Sequence, residues 1–271
     1  MELQETLRRK HPLPTYTTVN CTKENKLFTN RRRACFVFMR RIEITTIDMQ
    51  KSNLTLIDCE RWGLVEYKEA DQRQSEYVEE IKRGTRPSTL VFCQHPTVIT
   101  VGRAAEEGHI VSEESELHRM GISVIANNRG GDVTLHNPGQ LIGYPLFHLS
   151  HFKEDLHWFL RELEESIIQT LHVFGIESHR IDGLTGVWIE GTRKVCAIGV
   201  HCSRWVISHG FALNVANDTA DFNHIIPCGI REKSVTSMSN ELGYVVDIEK
   251  VADVCQEVIY NRFVELKKNL W

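Results

Sequence analysis

The chain has 271 residues, 41% of them apolar, with a formal net charge of −4 and 8 cysteines. That length can bury a full core, and no apolar run approaches the roughly 20 residues a membrane-spanning helix needs. The cysteines are scattered, without CxxC pairs or a secretory signal, which excludes a disulfide framework and points to reduced thiols in a reducing compartment. Cys196, His201, Cys202 and His209 lack ordinary structural-zinc spacing, so buried thiols are expected there and no metal.

Charge is unevenly placed. Residues 1–53 carry 11 Lys/Arg against 5 Asp/Glu, net +6, and the remainder is net −10. The basic stretch holds Arg31-Arg32-Arg33, but acids and Pro12 and Pro14 weaken any presequence helix. It also lacks the interleaved aromatics of single-strand binders, so no nucleic-acid partner is expected. A poorly ordered extension and a targeting segment are equally compatible readings.

The folded unit is expected from Leu54 onward. Leu54–Ile57 reads as a short strand, and Trp62–Lys82 as a helix ending before Gly84. Thr89–Cys93 and Thr97–Val101 are β-rich runs separated by Pro96, which forbids one continuous central strand. Ser112 is a candidate cap for a short helix through Met120 that stops at Gly121. Ile122–Ala126 and Leu141–Leu146 read as strands flanking a glycine-rich loop, Arg129 to Gln140. From Glu154 to Phe174, apolar residues at 3–4 spacing mark the clearest helix. Strand-like runs follow at Gly186–Ile189, Lys194–His201, Trp205–Ile207 and Phe211–Val215, then a helix capped by Asp247. Strands and helices do not alternate one for one, so the fold class is α+β, with a mixed sheet and flanking helices.

Four segments carry candidate chemistry. In Arg129-Gly130-Gly131-Asp132-Val133-Thr134-Leu135-His136, the paired glycines open main-chain N–H groups to an acyl or phosphate-like ligand. Pro227-Cys228-Gly229 holds a thiol beside an unobstructed N–H, the setting of a nucleophile, although such a turn alone is usually just a turn. Lys194 heads an apolar strand; it is either a solvated strand end or a charge aimed into a pocket. By strict alternation Lys194, Cys196 and Ile198 share one face, and Val195, Ala197 and Gly199 the other. His209, in Ser208-His209-Gly210-Phe211-Ala212-Leu213-Asn214, is an acid–base group or a histidine satisfying a carbonyl.

In this order the four segments resemble the octanoyltransferase family (lipoyl(octanoyl) transferases of the lipoate-protein ligase B type). The shared pattern is Arg-Gly-Gly through Thr-x-His-x-Pro-Gly-Gln, a Lys-led strand with glycine, His-Gly-x-Ala-x-Asn, and Pro-Cys-Gly. Residues 129–229 supply every element, and the flanks from about Leu54 are compatible. Asn137 departs from the family, which usually has glycine after the histidine. The first 53 residues lie outside the resemblance.

The resemblance implies the fold of biotin and lipoate protein ligase catalytic domains over residues 54–271. It implies octanoyl transfer from octanoyl-acyl carrier protein to a lysine of a lipoyl domain, as the first step of endogenous protein lipoylation. The acceptors are lipoyl domains of 2-oxoacid dehydrogenases and the glycine cleavage H protein. Cys228 would carry the acyl group as a thioester, with Lys194 lowering the thiol's pKa and handling protons. Arg129, Gly130, Gly131, Asp132, Val133, Thr134, Leu135 and His136 would form one wall of the substrate site. Ala197, Ile198 and Gly199, with Gly210, Phe211 and Ala212, would form others. The thioester donor is already activated, so no cofactor is implied; an ATP-dependent lipoate- or biotin-type ligase is the alternative. No membrane partner is expected, and the location is cytoplasmic or an organelle matrix. Both protein partners tend to be acidic, so a local basic rim is expected, with Arg180, Arg193, Arg204, Arg231 and Lys233 as candidates.

Overall fold

Ser88–Gln94 (β2) and Gln140–Leu146 (β6) are almost entirely buried, as expected for strands covered on both faces. They sit within a mixed sheet whose order is β1-β2-β6-β10-β9-β8-β7. Its other strands are Ile57–Leu64 (β1), His179–Ile181 (β7), Leu184–Ile189 (β8), Arg193–Ser203 (β9) and Val206–Asn214 (β10). Ser234–Val235 (β11) pairs in parallel with Arg193 and Lys194, next to the β9 residues that β10 covers. A second sheet, order β4-β3-β5, is built from Val98–Val101 (β3), Ser123–Ala126 (β4) and Val133–His136 (β5). The helices are Tyr67–Lys82 (α1), Glu114–Arg119 (α2), Leu156–Val173 (α3), Met238–Leu242 (α4) and Ile248–Lys268 (α5). These elements come from a computed structural model, which describes residues 57–226 and 233–268. The expected extension at 1–53, the residues Leu54–Leu56 and the Pro227-Cys228-Gly229 turn lie outside the described residues.

Period-2 alternation divides the core between the faces of the large sheet. Leu90 and Phe92 of β2 join Phe159, Leu163, Ile167 and Leu171 of α3 and Ile259 and Phe263 of α5. Val91 and Cys93 point the other way, onto Ala70, Val78 and Ile81 of α1. Asp155 caps α3 by accepting from Trp158 N at 2.9 Å. The small sheet has its own core of Ile99, Leu117, Val133 and Leu135.

Several boundaries differ from the sequence reading. Trp62 to Leu64 belong to β1, where a bulge between Arg61 and Gly63 interrupts the register with β2, so α1 starts only at Tyr67. Ser112 does not cap α2; its Oγ lies 2.7 Å from His224 Nδ1, and Glu113 holds the cap position. A third of the expected glycine loop is a strand, β5, because it pairs antiparallel with β3. Trp205–Ile207 and Phe211–Val215 are not two strands. Continuous pairing with β9 carries β10 through the polar residues between them.

Candidate active site

The sheet's α1 face leads to a cavity. Along β9 and β10, Ala197 pairs with Ala212 and Gly199 with Gly210, so small residues line up across two adjacent strands. Ile142 of β6 pairs with Ala212 and continues the row. Above this floor, β5 and the Arg129–Asp132 loop supply a wall, and together they enclose about 790 Å³ including the mouth. The loop rests directly on the sheet: Gly130 N donates to Val200 O at 2.9 Å. A Cβ on Gly199 would lie 2.7 Å from Gly130 O, which is why only glycine fits beneath the loop. Gly131 completes the bend with φ 85°.

Most sequence-predicted residues meet here. Arg129, Gly131, Asp132, Val133, Thr134 and His136 line the cavity, as do Lys194, Ala197, Ile198, Gly199, Gly210, Phe211 and Ala212. Two do not. Gly130 turns its N–H to β9, and Leu135, alternating with Thr134 and His136 along β5, is fully buried in the small sheet's core. Cys228 lies outside the described residues. Its segment is bounded on both sides by cavity-lining residues, Phe222 before it and Val235 after it. Ile226 N donates to His109 O at 2.8 Å, and Thr236 N donates to Lys194 O at 3.0 Å.

Strict alternation along β9 places Lys194 on the wrong face. Cys196 and Val200 point into the α3/α5 core, so an unbroken strand would send Lys194 there too. Instead, Val187 pairs with Cys196 and Trp188 with Lys194, leaving Val195 as an extra residue. This bulge flips the alternation and brings Lys194 to the cavity with Ala197 and Gly199. Lys194 is 6% exposed and its ammonium stands 4.5 Å from the centre of the Trp188 ring, a cation–π contact.

A buried polar frame holds the cavity walls. Arg129 is 8% exposed; its guanidinium donates to Thr100 O at 2.7 Å and to Thr100 Oγ1 at 3.0 Å. Gln140 donates to Leu135 O and Asn214 Oδ1, so its Oε1 accepts from His136 Nδ1 at 2.8 Å. Asn214 in turn donates to Thr236 O, tying the frame to the strand that follows the Cys228 segment. Asn137 is part of this frame and does not line the cavity. Its amide donates to Asp218 O and Asp221 Oδ2, both at 2.8 Å, and accepts from Asn217. The residue that departs from the family pattern is thus a clamp on the turn Thr219–His224.

The histidines here are neutral. His95 Nδ1 lies 2.7 Å from Val65 O, which only accepts, so Nε2 accepts from Tyr144 OH at 2.7 Å. Burial pushes the pKa of His95 down to about 4 and that of His136 to about 3. His209 is pushed to about 4 by burial and by the nearby Arg129. It has a left-handed backbone, φ 56°, and its ring reaches Asn128 Oδ1 at 2.6 Å. These depressed values set an expected pH response. Neutral His95 and His136 contribute their full stability above pH 6.5, and lose about 3 kcal/mol each as pH falls to about 4. The check is by NMR: their ring signals should not titrate between pH 8 and 5. A midpoint near 6.5 for both would contradict the buried neutral pair.

Sequence reasoning missed Tyr67, Ile142, Tyr144, Thr185, Phe222 and Val235 as cavity residues. Tyr67 stacks on His136 with centroids 6.0 Å apart, a contact between α1 and β5 that no local pattern announces. Ile142 and Tyr144 were legible in principle, as alternate positions of β6. Gln140, Asn214 and His209 also line the cavity and sit inside the recognised motifs.

Two of the expected rim arginines are engaged elsewhere. Arg180 pairs with the buried Glu164 and with Glu165, and Arg193 with Glu190 and Glu241. Lys233 donates to Gly191 O, and Arg231 lies outside the described residues.

The model of the lipoyl protein ligase A/B catalytic domain matches residues 66–260. An octanoyltransferase of Cytophaga hutchinsonii is 42% identical over 223 residues, 76% of this chain and 91% of that one. The chain belongs to the octanoyltransferase family. It is accordingly an acyltransferase. A second family member, from Flavobacterium johnsoniae, is 50% identical over 166 residues, covering 60% of this chain and 70% of its own length. The fold is shared more widely. A bipartite lipoate protein ligase of Thermoplasma acidophilum superposes with a TM-score of 0.59 at 16% identity, over 79% of this chain and 91% of its own. Lipoate-protein ligase A bound with ATP gives 0.56 at 14% identity, over 79% and 92%. Among the described residues, no helix is long and apolar enough to cross a membrane.

Proposed function

We propose that the chain moves an octanoyl group from octanoyl-acyl carrier protein to a lysine of a lipoyl domain, with Cys228 as the covalent carrier. The observation that carries this reading is the bulge that turns Lys194 out of the core into an apolar-floored cavity, between two elements that bracket Cys228 in sequence. The Cys228 thiolate attacks the donor's thioester carbonyl; the enzyme C–S bond forms, the donor C–S bond breaks, and the leaving carrier thiolate takes a proton from the Lys194 ammonium. The acceptor amine then attacks the acyl-enzyme. A C–N bond forms, the enzyme C–S bond breaks, and the proton lost by the amine passes to the now neutral Lys194, restoring the thiolate–ammonium pair. Lys194 serves both steps, first as a cation beside the sulfur and then as the proton carrier. The row of Ala197, Ala212, Gly199 and Gly210 leaves room for the chain, whose burial at about 0.8 kcal/mol per methylene supplies roughly 5 kcal/mol of preference over acetyl.

Intact-mass spectrometry tests the reading directly. Purified protein mixed with octanoyl-acyl carrier protein, without ATP, should gain one octanoyl group, and adding an apo-lipoyl domain should discharge it. Acyl transfer that appears only with ATP and free octanoate would replace this mechanism with adenylate chemistry, which the lipoate ligases' shared fold also accommodates.

A further inference from the structure

The region beyond residue 53 is net negative, yet one end of the cavity floor is basic. Arg83 caps the end of α1, Arg204 occupies the β9–β10 turn, and Arg103 lies just beyond β3 of the small sheet; all three are exposed. They form one neighbourhood. Arg204 lies 3.5 Å from Glu79, whose carboxyl is held below its ordinary range chiefly by Lys82, with Arg204 and Arg83 adding to the effect. Lys82 Nζ reaches Ser203 Oγ at 3.2 Å, and burial with the charges of Arg103 and Lys82 holds His201 down. Arg103 connects this group to the cavity wall, because its N–H donates to Arg129 O at 3.1 Å.

The turn itself is unusual. Arg204 and Trp205 have φ of 50° and 62°, where a two-residue hairpin normally carries Asn-Gly. The fold therefore holds two bulky side chains in a conformation they disfavour, and leaves Trp205 38% exposed beside a 72% exposed arginine side chain. Tryptophan and arginine are the residue types that most often anchor protein interfaces.

We infer that Arg83, Arg103, Arg204 and Trp205 form the docking surface for the acidic carrier protein that delivers the acyl group, an inference that rests on the proposed transfer. Spacing favours the donor over the acceptor. From Gly199 in the cavity to Arg204 is five strand residues, about 16 Å at ~3.3 Å each. A carrier's acyl group rides on a long prosthetic arm that covers such a gap. An acceptor's lysine side chain is far shorter, so a lipoyl domain must seat at the mouth itself.

The test is the double charge reversal Arg83→Glu with Arg204→Glu, made in the full chain and checked for an unchanged melting temperature. Binding of fluorescently labelled holo-carrier protein, read by anisotropy, should weaken about tenfold and lose most of its salt dependence. The KM for octanoyl-carrier should rise similarly, with kcat unchanged. The KM for octanoyl-pantetheine, which has the arm but no protein, and for the lipoyl domain should stay within twofold. Unchanged carrier affinity overturns the inference, as does an equal loss with octanoyl-pantetheine or a selective loss with the lipoyl domain. The anisotropy arm needs no turnover, so it judges the surface even if the acyl-transfer reading fails. Trp205→Ala provides the second variant if the charge reversal does not fold, with the same expected split.

Discussion

Cys228→Ser is expected to abolish acyl transfer, lowering the rate by at least about 10³-fold, or roughly 4 kcal/mol of transition-state stabilisation. The substitution preserves shape and hydrogen bonding but replaces an ionisable thiol with a hydroxyl that stays protonated at neutral pH. It also exchanges a thioester intermediate for a far less reactive ester. The octanoyl mass adduct should vanish or, if a trace forms, fail to discharge onto the lipoyl domain. Melting temperature and carrier binding should hold, which separates lost chemistry from lost structure. Transfer at near wild-type rate in this variant would rule out the covalent route.

Among the described residues, the other thiols do not compete in this experiment. Burial pushes Cys255 up to about 12 and Cys59 to about 11, and holds Cys93 and Cys196 well above the ordinary thiol value. Cys196 is fully buried against the α3/α5 core. Cys202 is also raised by burial, so none of these five supplies much thiolate at pH 7.

The main elements were legible because their signals were local and strong. The apolar stripe of α3 and the β-rich runs of β2, β6 and β9 each carried their own periodicity. What failed were features that depend on a partner strand. The β5 pairing within a glycine-rich segment, the bulge that carries β1 on through Leu64, and the passage of β10 through Ser208-His209-Gly210 are all set by cross-strand hydrogen bonds. The cavity was legible through motif order, yet its orientation was not. Period-2 reasoning set Lys194 with Cys196, and only the extra residue Val195, visible as a register shift against β8, explains why the ammonium reaches the cavity. Two of the rim candidates misled for a related reason: Arg180 and Arg193 look free in sequence, but acids on α3 and α4 claim them.

Lys194→Met is the second large effect expected. An opposite charge in contact with a thiol lowers its pKa by about 1–3 units, so removing the ammonium should move the iodoacetamide alkylation midpoint of Cys228 upward by at least about one pH unit. At neutral pH the thiolate fraction then falls about tenfold or more, and the amine-attack step loses its proton carrier as well. Together these predict a loss of 10²–10³ in transfer. Methionine keeps the aliphatic stem against Trp188, and a melting temperature measured beside the rate separates lost chemistry from lost structure. Lys194→Arg separates the two roles: a permanent cation should keep the alkylation midpoint low, yet transfer to the amine should remain slow because guanidinium does not release a proton at these pH values. An alkylation profile that ignores both substitutions would break the proposed link between this lysine and the sulfur.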